Sequence, residues 1–478
     1  MTIRIECLSL QSFQMSATTQ NGLTSLSENE NSKRIQRFIC PVPILRARWR
    51  HPPKQNRRSE IGAGISRNID ESASPMASSL VRNAIVLGLL SAIGPFAIDM
   101  YLPALPTIAA DLHAETGAVQ MSLLAFFIAL AIAQLFCGPL SDMIGRKLPL
   151  YGGLVLFGIG SIGSAVATDI DVLVLFRFVQ GLGAAAGMVI PRAVVRDLHT
   201  GIEAARLMSL LMLVFSISPI LAPLTGSVII SFFGWRGVFW AVLVAAAIGI
   251  VLVATAQKET RTAEARLESN LGSALRGYGR LLKDRYFLGL VFVGGFGIAS
   301  FFVYLANSSF VLIDHYGLTP TQYAIAFSAN AVSFFGVSQL NGWLGSRFGL
   351  RRVMRFAVSG FAAAMLAMFA AALMGHQSLW LIAGFLFVGY GFLGLVIPTT
   401  AVLALEDHGE IAGTASALMG TLHFVIGGVA IGVTGSFFDG TALPMVGGIA
   451  GCALTAFVLT QVVLSRKANE LDTEAAAA

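Results

Sequence analysis

Asp99 is the residue with the clearest capacity for chemistry in this sequence. It stands in an apolar run, and residues 83–110 hold no other Asp, Glu, Lys or Arg. A carboxylate at mid-bilayer depth costs several kcal/mol unless it is neutralised, meets a partner or faces water, so one that is kept there has the makings of a reversible proton carrier. Arg177 is its counterpart, six residues past Asp171 in another uncharged stretch. A fixed positive charge there is placed to act on a carboxylate's proton or to hold a helix junction; an arginine that only snorkels to the headgroups is the plainer alternative. Tyr101, Gln180, Tyr304, Asn330 and His423 are further polar side chains in similar runs. They are candidates for a substrate cavity, against the plainer role of helix–helix hydrogen bonds. Pro219, Pro223 and Gly226 interrupt one apolar run and read as packing kinks or a hinge. Gly181, Gly183 and Gly187 lie inside an apolar run with no strand before them, so close helix packing explains them better than a nucleotide loop.

A second constellation is charged. Gly138-Pro139-Leu140-Ser141-Asp142-Met143-Ile144-Gly145-Arg146-Lys147 is wedged between two runs without Asp, Glu, Lys or Arg. Asp142 and Arg146 are four apart, so one helical turn brings them together. Gly145 permits a tight turn, and Asp142 can meet the positively polarised start of a helix from across a bundle. Gly138, Asp142, Gly145, Arg146 and Lys147 therefore read as a latch, against the alternative of charges that merely keep a loop on one side. No Walker A loop, HExxH or GxSxG elbow is present, so ATP-driven pumping and hydrolase chemistry lack support and an enzyme is not expected. Neither a cofactor nor a metal site is implied. Cys137 and Cys452 lie in apolar runs and Cys7 and Cys40 near the N-terminus, with no ligand spacing.

The elements that must position these residues follow from composition. The 478 residues are 55% hydrophobic and 12% charged, about half the charged share of a soluble domain. Apolar segments recur near 82–104, 119–140, 148–168, 171–191, 207–230, 236–256, 286–311, 322–344, 353–374, 378–400, 411–435 and 442–464. Each is about the 20 residues that a helix needs to cross a hydrocarbon core. The expectation is an all-α integral membrane protein of twelve transmembrane helices. Loops on the Gly138 side hold eighteen Lys and Arg and the opposite loops hold only Arg236, which puts the Gly138 loop and both termini in the cytoplasm.

The chain also repeats itself. Gly138, Leu140, Gly145 and Lys147 are echoed by Gly342, Leu344, Gly349 and Arg351 at an offset of 204. Tyr101-Leu102 matches Tyr304-Leu305 at 203, and Val189-Ile190-Pro191 matches Val396-Ile397-Pro398 at 207. Three matches at nearly one offset indicate two six-helix halves. The expected organisation is a basic tail over 1–78, a first half over 79–256, a cytoplasmic loop over 257–285, a second half over 286–465 and a tail over 466–478. The first tail holds eleven Lys and Arg against six Asp and Glu and has no apolar core for a secretory signal. A disordered tail, or sequence upstream of a start at Met76, is favoured over a nucleic-acid arm.

The Gly138 loop resembles the loop 2–3 signature of the major facilitator superfamily, GxLxDRxGRR/K, with Met143 in place of the usual base. Arg177-Phe178-Val179-Gln180-Gly181-Leu182-Gly183 resembles that superfamily's RxxQGxG motif, whose arginine is implicated in proton coupling in twelve-span drug:proton antiporters. Asp99 to Pro106, Arg192 to Asp197 and Ala412 to Leu418 look like the bicyclomycin/chloramphenicol-resistance (Bcr/CflA) branch. The resemblance covers about 79–465. It implies the major facilitator fold and proton-coupled multidrug efflux, with Asp99 and Arg177 coupling the proton. The expected setting is a bacterial inner membrane, with a monomer acting on a small-molecule substrate and protons among lipids, without nucleic acid. A proton-coupled nutrient or metabolite symporter of the same fold is the alternative. Ser346 stands where the family acid would be in the second half, so a latch there is weaker.

Overall fold

The computed structural model describes the backbone of residues 75–268 and 270–477, and the side chains of 82–267 and 270–465. The tail expected over 1–78 therefore lies outside the described residues, except for its last backbone from Pro75. Among the described residues all regular secondary structure is helical. The long helices are α1 (Pro75–Asp99), α2 (Thr116–Ile144), α3 (Lys147–Ala165), α4 (Ile170–Leu198) and α5 (Gly201–Thr255). A short linker helix, α6 (Leu271–Leu281), precedes α7 (Arg285–Ser309), α8 (Pro320–Ser338), α9 (Leu350–Leu373), α10 (Leu379–Glu406), α11 (Ala412–Gly435) and α12 (Leu443–Ala477).

Ten described helices are long and apolar enough to cross a membrane, and the count of twelve follows from two exceptions. The first is α5, whose 55 residues far exceed one bilayer. At Gly234 its backbone turns to φ 68°, ψ −179°, a conformation that only glycine adopts freely, and this break separates two crossings. The second is α8, which carries Gln322, Ser328, Asn330 and Ser333. Its hydroxyls and amide bond to other helices rather than meeting lipid: Ser333 donates to the Phe387 carbonyl at 2.6 Å and Ser328 to the Ile220 carbonyl at 2.9 Å.

The repeat read from the sequence is also a repeat in packing. In the first half α4 packs on α2 and α3; in the second α10 packs on α8 and α9. The echo glycines Gly145 and Gly349 share a positive φ, 99° and 82°. Close approach explains the glycines of α4: a Cβ at Gly181 would collide with the Phe126 carbonyl, and one at Gly183 with the Phe157 backbone. The halves meet where α2 packs on α11 and α5 on α8.

Hydrogen bonds cross that interface at both ends. Near the Gly138 loop, Gln134 donates to the Ala417 carbonyl at 3.3 Å and Thr421 to the Ala131 carbonyl at 3.1 Å. At the opposite end Gln120 donates to Asn307 Oδ1 at 2.9 Å, and Ser309 to the Leu102 carbonyl at 2.6 Å.

Candidate transport site

Between those two sets of bonds lies a cavity of about 220 Å³ lined from both halves. Its wall is aromatic: Phe127, Phe301, Phe302, Phe334, Phe335 and Phe424. Phe127 stacks on Phe302 at 4.4 Å between ring centroids, and Phe424 closes the cluster at 5.5 Å from Phe302. Asp99 is the one ionisable residue in the lining, and its residue surface is 5% exposed.

Local structure explains how Asp99 comes to be there. The α-helix of α1 ends at Asp99, and a 3-10 turn over Leu102–Ala104 leads into a further helix over Leu105–Asp111. A break inside the bilayer is tolerated only where the freed backbone groups find partners in the protein. Ser309 supplies one for the Leu102 carbonyl, and Gly226 lets α5 come against the Met100 carbonyl, where any Cβ would collide. Pro219 lines the cavity, but helical geometry continues through Pro219 and Pro223; the departure within α5 is at Gly234.

Arg177 is buried in the first half and makes no ion pair with Asp99. Its Nη1 donates to Gln180 Oε1 at 2.6 Å and to the Ala97 carbonyl at 3.2 Å. The guanidinium lies over the rings of Phe126 and Tyr101, at 4.4 and 4.6 Å. Tyr101 in turn shares a 2.6 Å hydrogen bond with Ser122, and Gln180 donates to Ser161 at 2.8 Å. Arg177 thus grips the last turn of α1, two residues before Asp99, without touching the carboxylate.

Tyr101, Gln180, Tyr304, Asn330 and His423 do not line the cavity. Their polar atoms are turned into packing within the halves: Asn330 donates to the Tyr304 hydroxyl at 3.0 Å, and His423 lies beside Gly294 and Thr400. Sequence reasoning singled out polar side chains and missed the phenylalanine wall. The signal was present in the doublets Phe301-Phe302 and Phe334-Phe335, but an apolar residue in a span carries no mark of which face it occupies.

The Gly138 constellation assembles around Arg146, which is 3% exposed. Its Nη1 meets Asp142 at 2.7 Å, and its Nε and Nη2 bond both oxygens of Asp197 at 2.7 and 3.1 Å. Thr260 donates to Asp197 at 2.9 Å. Glu259 accepts from the backbone N–H groups of Arg146 and Lys147 at 2.9 and 3.2 Å, placing a carboxylate at the start of α3. Burial works against the Glu259 charge, but these donors, the Arg261 N–H and the Arg266 charge hold its carboxyl below the ordinary value. The linker continues across to α2 and α11, where Tyr278 donates to the Leu135 carbonyl at 2.9 Å and Gly277 packs on Thr414. Asp197 and Glu259 were not among the latch residues expected from the sequence. Each is an acid at the basic end of the molecule, next to a span end. In the second half, Arg347 lies over Trp343 and Phe348 and makes no ion pair among the described residues.

Known proteins resemble the chain in sequence and in fold. The profile of the Major Facilitator Superfamily matches residues 87–432. The chain is 37% identical over 369 residues to the uncharacterized MFS-type transporter YdgK of Bacillus subtilis, covering 76% of this chain and 90% of that one. It is 31% identical over 390 residues to a bicyclomycin resistance protein homolog of Haemophilus influenzae, covering 80% and 96%. Among solved structures, a D-xylose-proton symporter superposes with a TM-score of 0.62 at 15% identity, over 79% of this chain and 97% of that one; at that identity the likeness concerns the fold.

Proposed function

The chain belongs to the Major Facilitator Superfamily, and from that premise we propose that it exports lipophilic compounds in exchange for protons. The observation that carries this reading is a single buried carboxylate in a phenylalanine-lined cavity between the halves. The rings offer apolar surface to a lipophilic guest, and Asp99 offers the one charge. Protonated, Asp99 is neutral and leaves the cavity apolar; ionised, it attracts a cation or a hydrogen-bond donor. Proton and guest therefore compete for one group, which is the requirement for exchange. The resistance protein homolog supports an antimicrobial compound as guest.

Arg177 and Gln180 act as positioning residues: Arg177 donates to the Ala97 carbonyl at the end of α1 that presents Asp99, and Gln180 accepts from Arg177 and so orients it. The Arg146 cluster is a latch at the end of the molecule that carries most of the bases. By charge distribution that end faces the cytoplasm of a bacterial cell, across the inner membrane.

The test is proton release from detergent-purified protein on addition of tetraphenylphosphonium, wild type against Asp99→Asn. Wild type releases protons, and the variant inserts and folds but releases none. Undiminished release from the variant removes Asp99 from the mechanism.

A further inference from the structure

We propose that Gln120 is the gate residue that closes the transport cavity at the end opposite the Gly138 loop, seating its amide in a slot that Gly435 keeps open. The gate follows from the two-half fold. It is independent of what the guest is and of whether Asp99 carries the proton.

Position is the first argument. At this end a vestibule of about 850 Å³ opens between the start of α2 and the end of α11, and Gln120, Gly432 and Gly435 line it. The transport cavity begins a short way further in. Phe127 of its wall is two helical turns along α2 from Gln120, about 10 Å, and Leu305 of α7 is in the same wall. Gln120 lies between the two spaces. Its Nε2 donates to Asn307 Oδ1 at 2.9 Å and to the carbonyl of Ala306, the residue after Leu305, at 3.3 Å. One turn inward from Gln120, Leu124 lies against Gly428 and Gly432 of α11.

The hydrogen-bond pattern fixes how the amide sits, and this is the second argument. Asn307 donates its own Nδ2 to the Val303 carbonyl at 2.8 Å, so its Oδ1 is the atom that faces Gln120. Two acceptors on that side require the NH₂ of Gln120 there, which turns Oε1 towards α11. A Cβ on Gly435 would stand 2.6 Å from that oxygen. Glycine at 435 is therefore what lets the amide reach α7. Gln120 is 1% exposed, and its Oε1 is buried with no hydrogen-bond partner. A buried acceptor left unpaired offsets part of what the two donated bonds contribute, so the contact holds the end closed without locking it.

In a transporter whose halves rock about a central site, α2 must part from α7 and α11 for the guest to leave at this end. Both Gln120 bonds join the first half to the second, so both break at that step and re-form when the end closes.

The experiment measures the opening directly in full-length protein lacking the four native cysteines. Spin labels are placed at Thr168 and His376, exposed loop positions of the first and second halves at this end. Double electron–electron resonance then gives the distances between them in proteoliposomes. Wild type shows a short distance as its main population. Gln120→Leu keeps the bulk and removes the bonds, and it raises the ratio of long to short distances about tenfold, as two interface hydrogen bonds imply. Gly435→Ala shifts the ratio the same way, because the new methyl displaces the amide. Gly432→Ala, whose Cβ would lie at an ordinary 3.9 Å from Leu124, leaves the ratio as in wild type. In Gln120→Ala no amide remains to be displaced, so adding Gly435→Ala changes nothing further. A role in folding alone would broaden the distances without favouring the long one. The proposal is overturned if either Gln120→Leu or Gly435→Ala folds and keeps the wild-type ratio. It is equally overturned if Gly432→Ala opens the end as far as Gly435→Ala, or if Gly435→Ala has its full effect in the Gln120→Ala background.

Discussion

Glu259 fastens the linker to the first half through a carboxylate set against the start of α3, and Glu259→Gln should loosen it. The side chain accepts from two N–H groups of α3's first residues, at 2.9 and 3.2 Å, and from those of Thr260 and Arg261 in its own turn, at 3.0 and 3.1 Å. Glutamine keeps one acceptor and loses the charge. A capping carboxylate in such a place contributes about 1 kcal/mol, and partial solvation of Glu259 keeps the figure at that lower end. A loss of about 1 kcal/mol is roughly a fivefold change in the ratio of detached to attached linker. The assay is the spectrum of a spin label at Glu264, an exposed linker position, in a background lacking the four native cysteines. The mobile fraction at neutral pH should rise about fivefold in Glu259→Gln relative to Glu259. Acid should reproduce the effect in the parent protein. Glu259 is held below its ordinary 4.5 while attached and regains that value on release. Its contribution is therefore complete above pH 4.5 and is lost as pH falls through the lower, attached value. Glu259→Gln should lack this acid step. An unchanged mobile fraction at neutral pH, with the acid step still present in the variant, would refute the attachment.

The other predictions concern the latch and the cavity wall. Asp197→Asn should slow transport more than Asp142→Asn, because Asp197 takes two bonds from Arg146 and one from Thr260 while Asp142 is 41% exposed. Transport rates in proteoliposomes, with substrate affinity staying within a few-fold, would check this, and an equal or reversed order would contradict it. Phe302→Ala removes the ring stacked against both Phe127 and Phe424 and should weaken tetraphenylphosphonium binding about tenfold, with Phe302→Leu intermediate. Equilibrium binding measures it, and affinity unchanged in Phe302→Ala would remove the aromatic wall from recognition.

The fold was legible because the forces that set it are written in composition. Lipid demands helices of a fixed length, so runs without charge mark them directly, and the bases mark one end. Where the reading met difficulty the reason is local. Gly234 is one of many glycines, and nothing in the sequence distinguishes the one that breaks a helical run from those that let helices touch. Helix α8 keeps polar residues because its partners supply hydrogen bonds, a tertiary fact invisible in the span itself. The cavity was less legible. Polar residues in spans look functional, yet Gln180, Asn330 and Tyr304 satisfy one another or their neighbours inside each half. The phenylalanines that line the cavity have the same hydropathy whether they face lipid, a neighbour or the cavity.

Asp99 and Arg177 show why the separation matters. Had they paired, Arg177 would hold the carboxylate charged, and a proton and a lipophilic cation would both have to displace a buried guanidinium, at a cost of several kcal/mol. Instead Arg177 spends its charge on a carbonyl, an amide and two aromatic faces, all on the first half's side of the break in α1. The guanidinium is bound to the backbone that carries Asp99, and Asp99 itself is left to the cavity. Asp99 is followed by the Met100 turn, where Gly226 of α5 is packed, and Pro219 on the same helix lines the cavity. Since α5 meets α8 across the interface, an unbroken line of contacts runs from the carboxylate through the helix break and α5 to the contact between the halves.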